Sequence, residues 1–249
     1  KGKVRDNPNA IVNQCDACGL VFLTGVEEVD YQAGEMHEGS EKDVITEERW
    51  LKESRRDDVR RYKSLEQQIT GKSVLDFGCG PGGFLMLARE IAESVYGIEL
   101  EERLAGHFTK NKLDVARSIN DTDQAKRFEV ITAFHVIEHL KDPRSVLKEL
   151  KGLLALEGRI IIEVPSADDA LLSLYESGPF SEFTYWSCHR YLFNTFTLEQ
   201  LAEQSGCRVQ YIKHIQRYPL SNHLYWLAKG KAGGHNRWGF LDSPEMSSV

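Results

Sequence analysis

A glycine-rich turn carries the clearest chemical signal in this 249-residue sequence. Val74–Phe77 is predicted to form a short buried strand, and Phe84–Ile91 has the pattern of a helix. Between them, Gly78, Gly80 and Gly83 form a G-x-G-x-x-G, a spacing that lets the backbone approach a nucleotide-like ligand at a helix N-terminus. The spacing alone does not identify that ligand.

Two acidic residues narrow the choice of ligand. Asp76 lies two residues before Gly78, where a carboxylate would repel the pyrophosphate of a dinucleotide. A ligand with an ammonium group, a sulfonium and no phosphate would be attracted instead, and S-adenosylmethionine has this chemistry. Glu99 ends the next predicted strand, at the separation of about 20 residues expected of a βαβ unit, where it can accept both ribose hydroxyls. The alternative is an ordinary strand-to-helix turn with surface acids.

Together these features resemble the class I S-adenosylmethionine-dependent methyltransferases. Phe128–His139, Leu147–Leu154 and Gly158–Pro165 resemble the fourth strand, the following helix and the fifth strand of that family. The resemblance implies an α/β, three-layer Rossmann-like methyltransferase fold. We therefore expect a seven-stranded, mostly parallel sheet with an antiparallel last strand, and we place the last two strands at Arg208–Ile215 and His223–Lys229.

We divide the chain into three parts. Residues 1–45 form a small N-terminal segment with a C-x-x-C hairpin, and residues 46–230 form the cofactor-binding methyltransferase domain. Within that domain, residues 166–196 are predicted to be a substrate lid, because loops at the carboxyl ends of such strands carry function. We expect residues 231–249 to be a flexible tail.

Composition limits the partners of the protein. Hydrophobic residues make up 41% and charged residues 28%, as in soluble globular proteins, and the net charge of -7 disfavours nucleic acid. We find no apolar run near the roughly 20 residues that cross a membrane, and we expect no membrane partner. Cys79 in the glycine turn favours a reducing, cytoplasmic location. A homodimer is left open.

Cys15 and Cys18 have the C-x-x-C-G spacing of one zinc knuckle. A structural zinc ion needs four ligands, and His37 is a candidate third ligand. Related methyltransferases often carry an earlier cysteine pair, which this sequence lacks. We favour a hairpin turn packed on the core over bound zinc, because half a ligand set is weak evidence.

The resemblance implies a set of cofactor-binding residues. Leu100 follows Glu99, Ile119 falls where related enzymes hold the adenine, and His135 follows the fourth strand, near the methyl donor. Arg61, on a helix predicted from Thr46 to Ile69, is a candidate for the methionine carboxylate, although charged helix faces are commonly solvated. The complete set is Asp76, Gly78, Gly80, Gly83, Glu99, Leu100, Ile119, His135 and Arg61.

His189 and His139 are the candidate catalytic residues, because an oxygen acceptor usually needs a general base. His189 lies in the aromatic stretch of the predicted lid, and many residues of that stretch could simply cover the sheet. His139 belongs to an H-x-x-E-H string that is frequent in methyltransferases that use no metal, so we predict no metal there.

The predicted function is methyl transfer from S-adenosylmethionine to a small-molecule acceptor, with S-adenosylhomocysteine as product. The cysteine-bearing N-terminus resembles enzymes that modify sugars and secondary metabolites, which we take as the first acceptor class. One alternative is an O-methyltransferase of quinone-like or phenolic acceptors. Another is a methyltransferase-fold partner module that binds cofactor without catalysis.

Overall fold

The computed structural model describes residues 2–27 and 46–242. These residues fall into two compact units, one containing residues 2–27 and 165–242 and the other containing residues 46–164. The domain boundaries predicted from the sequence lie at residues 45 and 230 and differ from those of the two units. We describe each unit by itself.

A five-stranded parallel sheet is the centre of the unit formed by residues 46–164. Its strands are β3 (Ser73–Phe77), β4 (Ser94–Ile98), β5 (Val115–Ala116), β6 (Phe128–Phe134) and β7 (Leu154–Glu163). They lie in the order β5-β4-β3-β6-β7, and every neighbouring pair is parallel. The chain adds β4 and β5 on one side of β3 and then β6 and β7 on the other side, so the strand order reverses between β3 and β6. In open α/β sheets, ligands bind outside the carboxyl ends of the strands at such a reversal.

The described residues of this unit contain four α-helices, two of which begin at a side-chain cap. They are α1 (Glu47–Ile69), α2 (Gly83–Ala88), α3 (Ala105–Asn111) and α4 (Pro143–Gly152). Thr46 caps α1 by accepting a hydrogen bond from the Arg49 N–H, and Asp142 caps α4 by accepting one from Ser145. On α1, Leu65 and Ile69 are buried against Val74 of β3. Helix α1 is thereby anchored to the centre of the sheet.

The other unit joins the N-terminal segment to the predicted lid. Strands β1 (Ile11–Gln14) and β2 (Val21–Thr24) form an antiparallel hairpin, which pairs with β8 (Tyr191–Leu192). Its helices are α5 (Ala170–Ser173), α6 (Gly178–Thr184), α7 (Thr195–Gln204), α8 (Leu220–Lys229) and α9 (Gly234–Arg237). Val12 and Val21 of the hairpin share a hydrophobic cluster with Tyr185 and Leu192. The shared cluster explains why these segments, far apart in sequence, form one unit.

The predicted strand at His223–Lys229 is wrong, because these residues belong to α8. Ser221, Asn222, Tyr225 and Trp226 are buried, a spacing that defines one face of a helix. The described residues contain no strand at 208–215, so the parallel sheet has five of the seven expected strands. None of the helices in the described ranges is both long and apolar enough to span a bilayer.

Part of the expected flexible tail is packed in this structure. Residues 231–242 include α9, and Asn222 Oδ1 accepts hydrogen bonds from the N–H groups of Gly233 and Gly234, both at 3.1 Å. Asp242 accepts hydrogen bonds from the N–H and hydroxyl of Ser221. The order of residues 231–242 therefore comes from polar contacts with α8. Residues 243–249 lie outside the described range.

The sequence Thr197-Leu-Glu-Gln200 has the spacing of a capping box, but in the structure the N-cap of α7 is Asn194, three residues earlier. Asn194 Oδ1 accepts a hydrogen bond from the Thr197 N–H at 2.8 Å, and Thr197 Oγ1 accepts one from the Asn194 N–H at 3.0 Å. We expect Asn194→Ala to lower the free energy of unfolding by about 1 kcal/mol. The measurement is chemical denaturation, with Gln200→Ala as the control on the same helix, expected to change stability by less than about 0.5 kcal/mol. A loss in Gln200→Ala with none in Asn194→Ala would mean that the helix begins at the later cap.

Candidate active site

The glycine turn between β3 and α2 has a backbone that side chains rarely tolerate. Gly78 and Gly80 have φ values of 73° and 51°, in the left-handed region. A Cβ atom at Gly78 would also collide with the side chain of Val136, and a Cβ at Gly80 would lie 3.0 Å from the ring of Trp50. The turn therefore needs glycine for both its conformation and its packing. A ligand can approach the backbone closely at such a turn.

Asp76 is buried at the end of β3, directly before this turn. The hydroxyl of Thr132, on the neighbouring strand β6, donates a hydrogen bond to Asp76 Oδ1 at 2.7 Å. Burial raises the pKa of Asp76 to about 7, although the Thr132 hydrogen bond and the charge of Arg61 act in the opposite direction. A cationic group placed beside Asp76 would favour its ionised form.

Glu99 follows β4 and binds the glycine turn directly. Its Oε2 accepts a hydrogen bond from the Gly80 N–H at 2.8 Å, and its Oε1 accepts one from the Glu101 N–H at 3.0 Å. Because each carboxylate oxygen has two lone pairs, Glu99 can still accept hydrogen bonds from a diol. The next residue, Leu100, is exposed, and Ile119 is buried at the start of the short 3-10 turn Ile119–Asp121.

Residues of helix α1 that were not predicted as site residues pack against the glycine turn. Trp50 lies against Gly80, and Asp58 lies so close to Gly83 that a Cβ there would collide with its carboxylate. Ser54 donates a hydrogen bond to Asp58 Oδ2 at 2.7 Å, and burial raises the pKa of Asp58. Trp50, Ser54 and Asp58 are four residues apart, on the helix face that continues to Leu65 and Ile69. The four-residue spacing of these side chains could have indicated from the sequence that they share one face of the helix.

Arg61 and His135 both contact Glu163, the last residue of β7. Arg61 Nη2 lies 2.8 Å from Glu163 Oε1, and its guanidinium stacks 4.5 Å from the ring centre of Phe134. His135 has a φ of 56°, and its Nε2 and Nδ1 each lie 3.2 Å from a carboxylate oxygen, of Glu163 and Glu138 respectively. Burial alone would lower the pKa of His135, but the hydrogen bond with Glu138 and the nearby carboxylate of Glu163 raise it. Glu163 was absent from the predicted site.

The two candidate bases belong to different units. His139 ends the 3-10 turn Ile137–His139 in the unit of residues 46–164, and it is almost completely buried. His189 follows α6 in the other unit, where its ring packs against that of Trp186 with centroids 5.4 Å apart. The cofactor candidates Arg61, Asp76, Glu99, Ile119 and His135 all lie in the first unit.

Cys15 and Cys18 lie in the turn of the β1–β2 hairpin. Hydrogen bonds from the N–H groups of Cys18 and Ala17 lower the pKa of the Cys15 thiol, which favours the thiolate that binds metal ions. The hairpin itself was predicted. Bound zinc remains a hypothesis, and the candidate third ligand His37 lies outside the described residues.

Comparison with known proteins identifies the family. Residues 49–212 match the family model described as a methyltransferase domain. The chain belongs to this methyltransferase family. A ubiquinone biosynthesis O-methyltransferase from Coxiella burnetii is 30% identical to it over 179 residues, which cover 65% of this chain and 75% of that protein. The family and its named relatives make this chain an S-adenosylmethionine-dependent methyltransferase.

Solved methyltransferase structures share the fold at low sequence identity. An O-methyltransferase family protein from Burkholderia thailandensis is 13% identical, with a TM-score of 0.53 over 75% of this chain and 60% of that one. A phosphoethanolamine N-methyltransferase from Haemonchus contortus, solved with S-adenosylhomocysteine, is 18% identical, with a TM-score of 0.52 over 72% of this chain and 44% of that one. The Rossmann-like methyltransferase fold expected from the sequence is confirmed.

Asp76→Asn tests the buried carboxylate of this methyltransferase. Because the pKa of Asp76 is raised from 3.8 to about 7, its contribution to stability is present below about pH 4 and is lost as the pH rises through about 7. Asparagine keeps the oxygen that accepts from Thr132, so the variant should gain stability at about pH 8 by more than at about pH 4. Thermal melts at the two pH values measure this difference.

The control for this test is Asp114→Asn, which changes an exposed carboxylate of the same unit. It should shift the melting temperature by a similar amount at both pH values. A pH-independent shift in Asp76→Asn as well would contradict the raised pKa of Asp76.

Proposed function

We propose that this methyltransferase methylates a hydroxyl group of a small phenolic or quinone-like acceptor. The proposed cofactor site rests on one observation. Asp76 and Glu99 lie at the carboxyl ends of the adjacent parallel strands β3 and β4, with the glycine turn between them in the sequence. The acceptor class is supported by the ubiquinone biosynthesis O-methyltransferase that is 30% identical to this chain.

The residues of the turn suit S-adenosylmethionine better than a dinucleotide. Asp76 offers a buried carboxylate to a cationic ligand and would repel a pyrophosphate. Glu99 retains lone pairs for ribose hydroxyls, and Ile119 offers an apolar surface for adenine. When bound, S-adenosylmethionine supplies a methyl group that is already activated by the positive sulfonium. The protein then has to align the acceptor hydroxyl and exclude water.

The acceptor hydroxyl needs a base if it is to be methylated on oxygen. His135 is a poor candidate, because both of its ring nitrogens face carboxylates that favour its protonated form. We propose His189 as the base, with His139 as the second candidate. Both residues are histidines, whose ordinary pKa suits proton transfer near neutral pH.

Sugar-like acceptors form the second candidate class. The specific observation in their favour is the hairpin that carries Cys15 and Cys18, which resembles the N-terminal segments of sugar-modifying methyltransferases. This hairpin pairs with β8, which directly follows the stretch that contains His189. The two classes differ in the acidity of the hydroxyl, so a comparison of catechols with sugars separates them.

Calorimetric titration with S-adenosylhomocysteine tests the cofactor site. We expect the wild type to bind, and we expect Glu99→Ala to weaken binding by at least about 10-fold, because a charged hydrogen-bond acceptor is lost. The control is Glu102→Ala, three residues along the chain, whose side chain is 80% exposed. A folded wild type that does not bind would contradict the proposal.

Formation of S-adenosylhomocysteine over a panel of catechols, hydroxyquinones and sugars tests the acceptor class. If His189 is the base, His189→Gln should lower kcat by about 100-fold or more on the active acceptor, with an unchanged Kd for S-adenosylhomocysteine. His139→Gln is compared under the same conditions, with the exposed His214→Gln as control. Full activity in His189→Gln would transfer the proposed role to another group.

A further inference from the structure

Three cationic side chains meet at one carboxylate at the ends of β6 and β7. Arg60 binds Glu163 through both of its terminal nitrogens, with Nη2 2.8 Å from Oε1 and Nη1 3.0 Å from Oε2. Arg61 Nη2 lies 2.8 Å from the same Oε1, and His135 Nε2 lies 3.2 Å from it. One oxygen atom of Glu163 is therefore shared by all three cations.

Glu163 connects three elements that surround the glycine turn. The two arginines belong to α1, the helix that places Trp50 and Asp58 against the turn. His135 follows β6, and its backbone N–H also donates to the carbonyl oxygen of Glu163 at 2.8 Å. The position and the charge of His135 thus depend on β7 and, through Glu163, on α1.

The charges around this carboxylate nearly balance as long as it stays ionised. Asp57 lies 3.3 Å from Arg60, and Asp58 lies 3.7 Å from Arg61. Glu138 faces the other nitrogen of His135. Burial alone would raise the pKa of Glu163, but the nearby His135 ring and the hydrogen bonds from Arg60 and Arg61 hold it far below the ordinary value. Glu163 is therefore negative near neutral pH.

The backbone of His135 needs such support. Its φ of 56° lies in the left-handed region, which costs free energy for a residue other than glycine. The side chain is fixed from two directions, by Glu138 on its own turn and by Glu163 on β7. His135 lies at the carboxyl end of a strand next to the reversal of strand order, where ligands bind in such sheets. Strained residues are often found at such functional sites.

We infer that Glu163 is a positioning residue of the cofactor site, which holds the His135 ring in place and its backbone in the left-handed conformation. This inference rests on the proposed function, since it assumes that the cofactor binds at the ends of β3 and β6. Arg60 and Arg61 fix the carboxylate, and the carboxylate fixes His135. His135 is then held in a fixed position at the carboxyl end of β6, beside the proposed cofactor.

Glu163→Gln tests this inference, because glutamine keeps the size and one acceptor oxygen but removes the charge. Loss of one charged hydrogen-bond partner predicts S-adenosylhomocysteine binding weaker by about 10- to 100-fold. Glu163→Asp should lie between the wild type and Glu163→Gln, and Glu149→Gln, on the exposed face of α4, should bind like the wild type. Thermal melts confirm that each variant is folded.

NMR titration of the His135 ring provides a readout that does not need the cofactor. Glu163→Gln should lower its titration midpoint by about one pH unit or more, because an opposite charge is lost. Glu163 would be a merely structural residue if the midpoint stayed unchanged. A variant that does not fold is replaced in this test by Glu163→Asp, for which a smaller shift in the same direction is expected.

A double-mutant cycle shows whether Glu163 acts through His135. His135→Asn preserves the backbone, because asparagine tolerates left-handed φ values. If Glu163 acts through His135, Glu163→Gln should weaken S-adenosylhomocysteine binding much less in the His135→Asn background than in the wild type. Additive effects would overturn the inference while leaving the proposed function intact. A wild type that does not bind would overturn both.

Discussion

Burial of the Asp76 carboxylate at the end of β3 is the constraint on which the rest of the cofactor site depends. An isolated carboxylate is costly to remove from water, so it has to be hydrogen-bonded, paired or protonated. Thr132 supplies one hydrogen bond from β6, and the pKa near 7 shows that this does not fully offset burial. The positive charge of the proposed ligand, placed beside Asp76, would supply an ion pair for this carboxylate.

The surroundings of Asp76 extend the same electrostatic logic. Asp58 also has a raised pKa, and Glu99 accepts a hydrogen bond from the backbone of the glycine turn. These acids attract positive charge to the turn, whereas the cations Arg60, Arg61 and His135 are gathered at Glu163. The two sets lie at the ends of adjacent strands. The side of the site that carries the glycine turn therefore favours the cationic part of the proposed ligand.

The sequence predicts those parts of the fold that depend on local signals. The glycine turn, Asp76 before it and the caps of α1 and α4 follow from short-range spacing. The order of the central strands does not, and it was expected only from the resemblance to the family. Helix α8 was misinterpreted as a strand, although Pro219 before it and Gly230 after it are ordinary helix boundary signals.

The contacts that the sequence analysis missed join residues far apart along the chain. Glu163 meets α1 more than 100 residues away, and its position at the end of a predicted strand gave no sign of three cationic partners. Helical periodicity could have placed Trp50 on the buried face of α1, but it could not have predicted the contact between Trp50 and Gly80. Side-chain pairing across a sheet depends on tertiary packing, which local spacing does not determine.

The predicted cofactor-binding residues and the proposed base His189 belong to different units of the methyltransferase. Every cofactor candidate lies in the unit of residues 46–164, whereas His189 lies with the N-terminal hairpin. In that second unit, Asp6 accepts hydrogen bonds from the N–H and the hydroxyl of Ser187, and Arg5 stacks 4.4 Å from the ring centre of Trp186. The stretch around His189 is therefore positioned by residues from the start of the chain. The N-terminal segment, which the sequence analysis set apart, thus becomes a determinant of the proposed acceptor side.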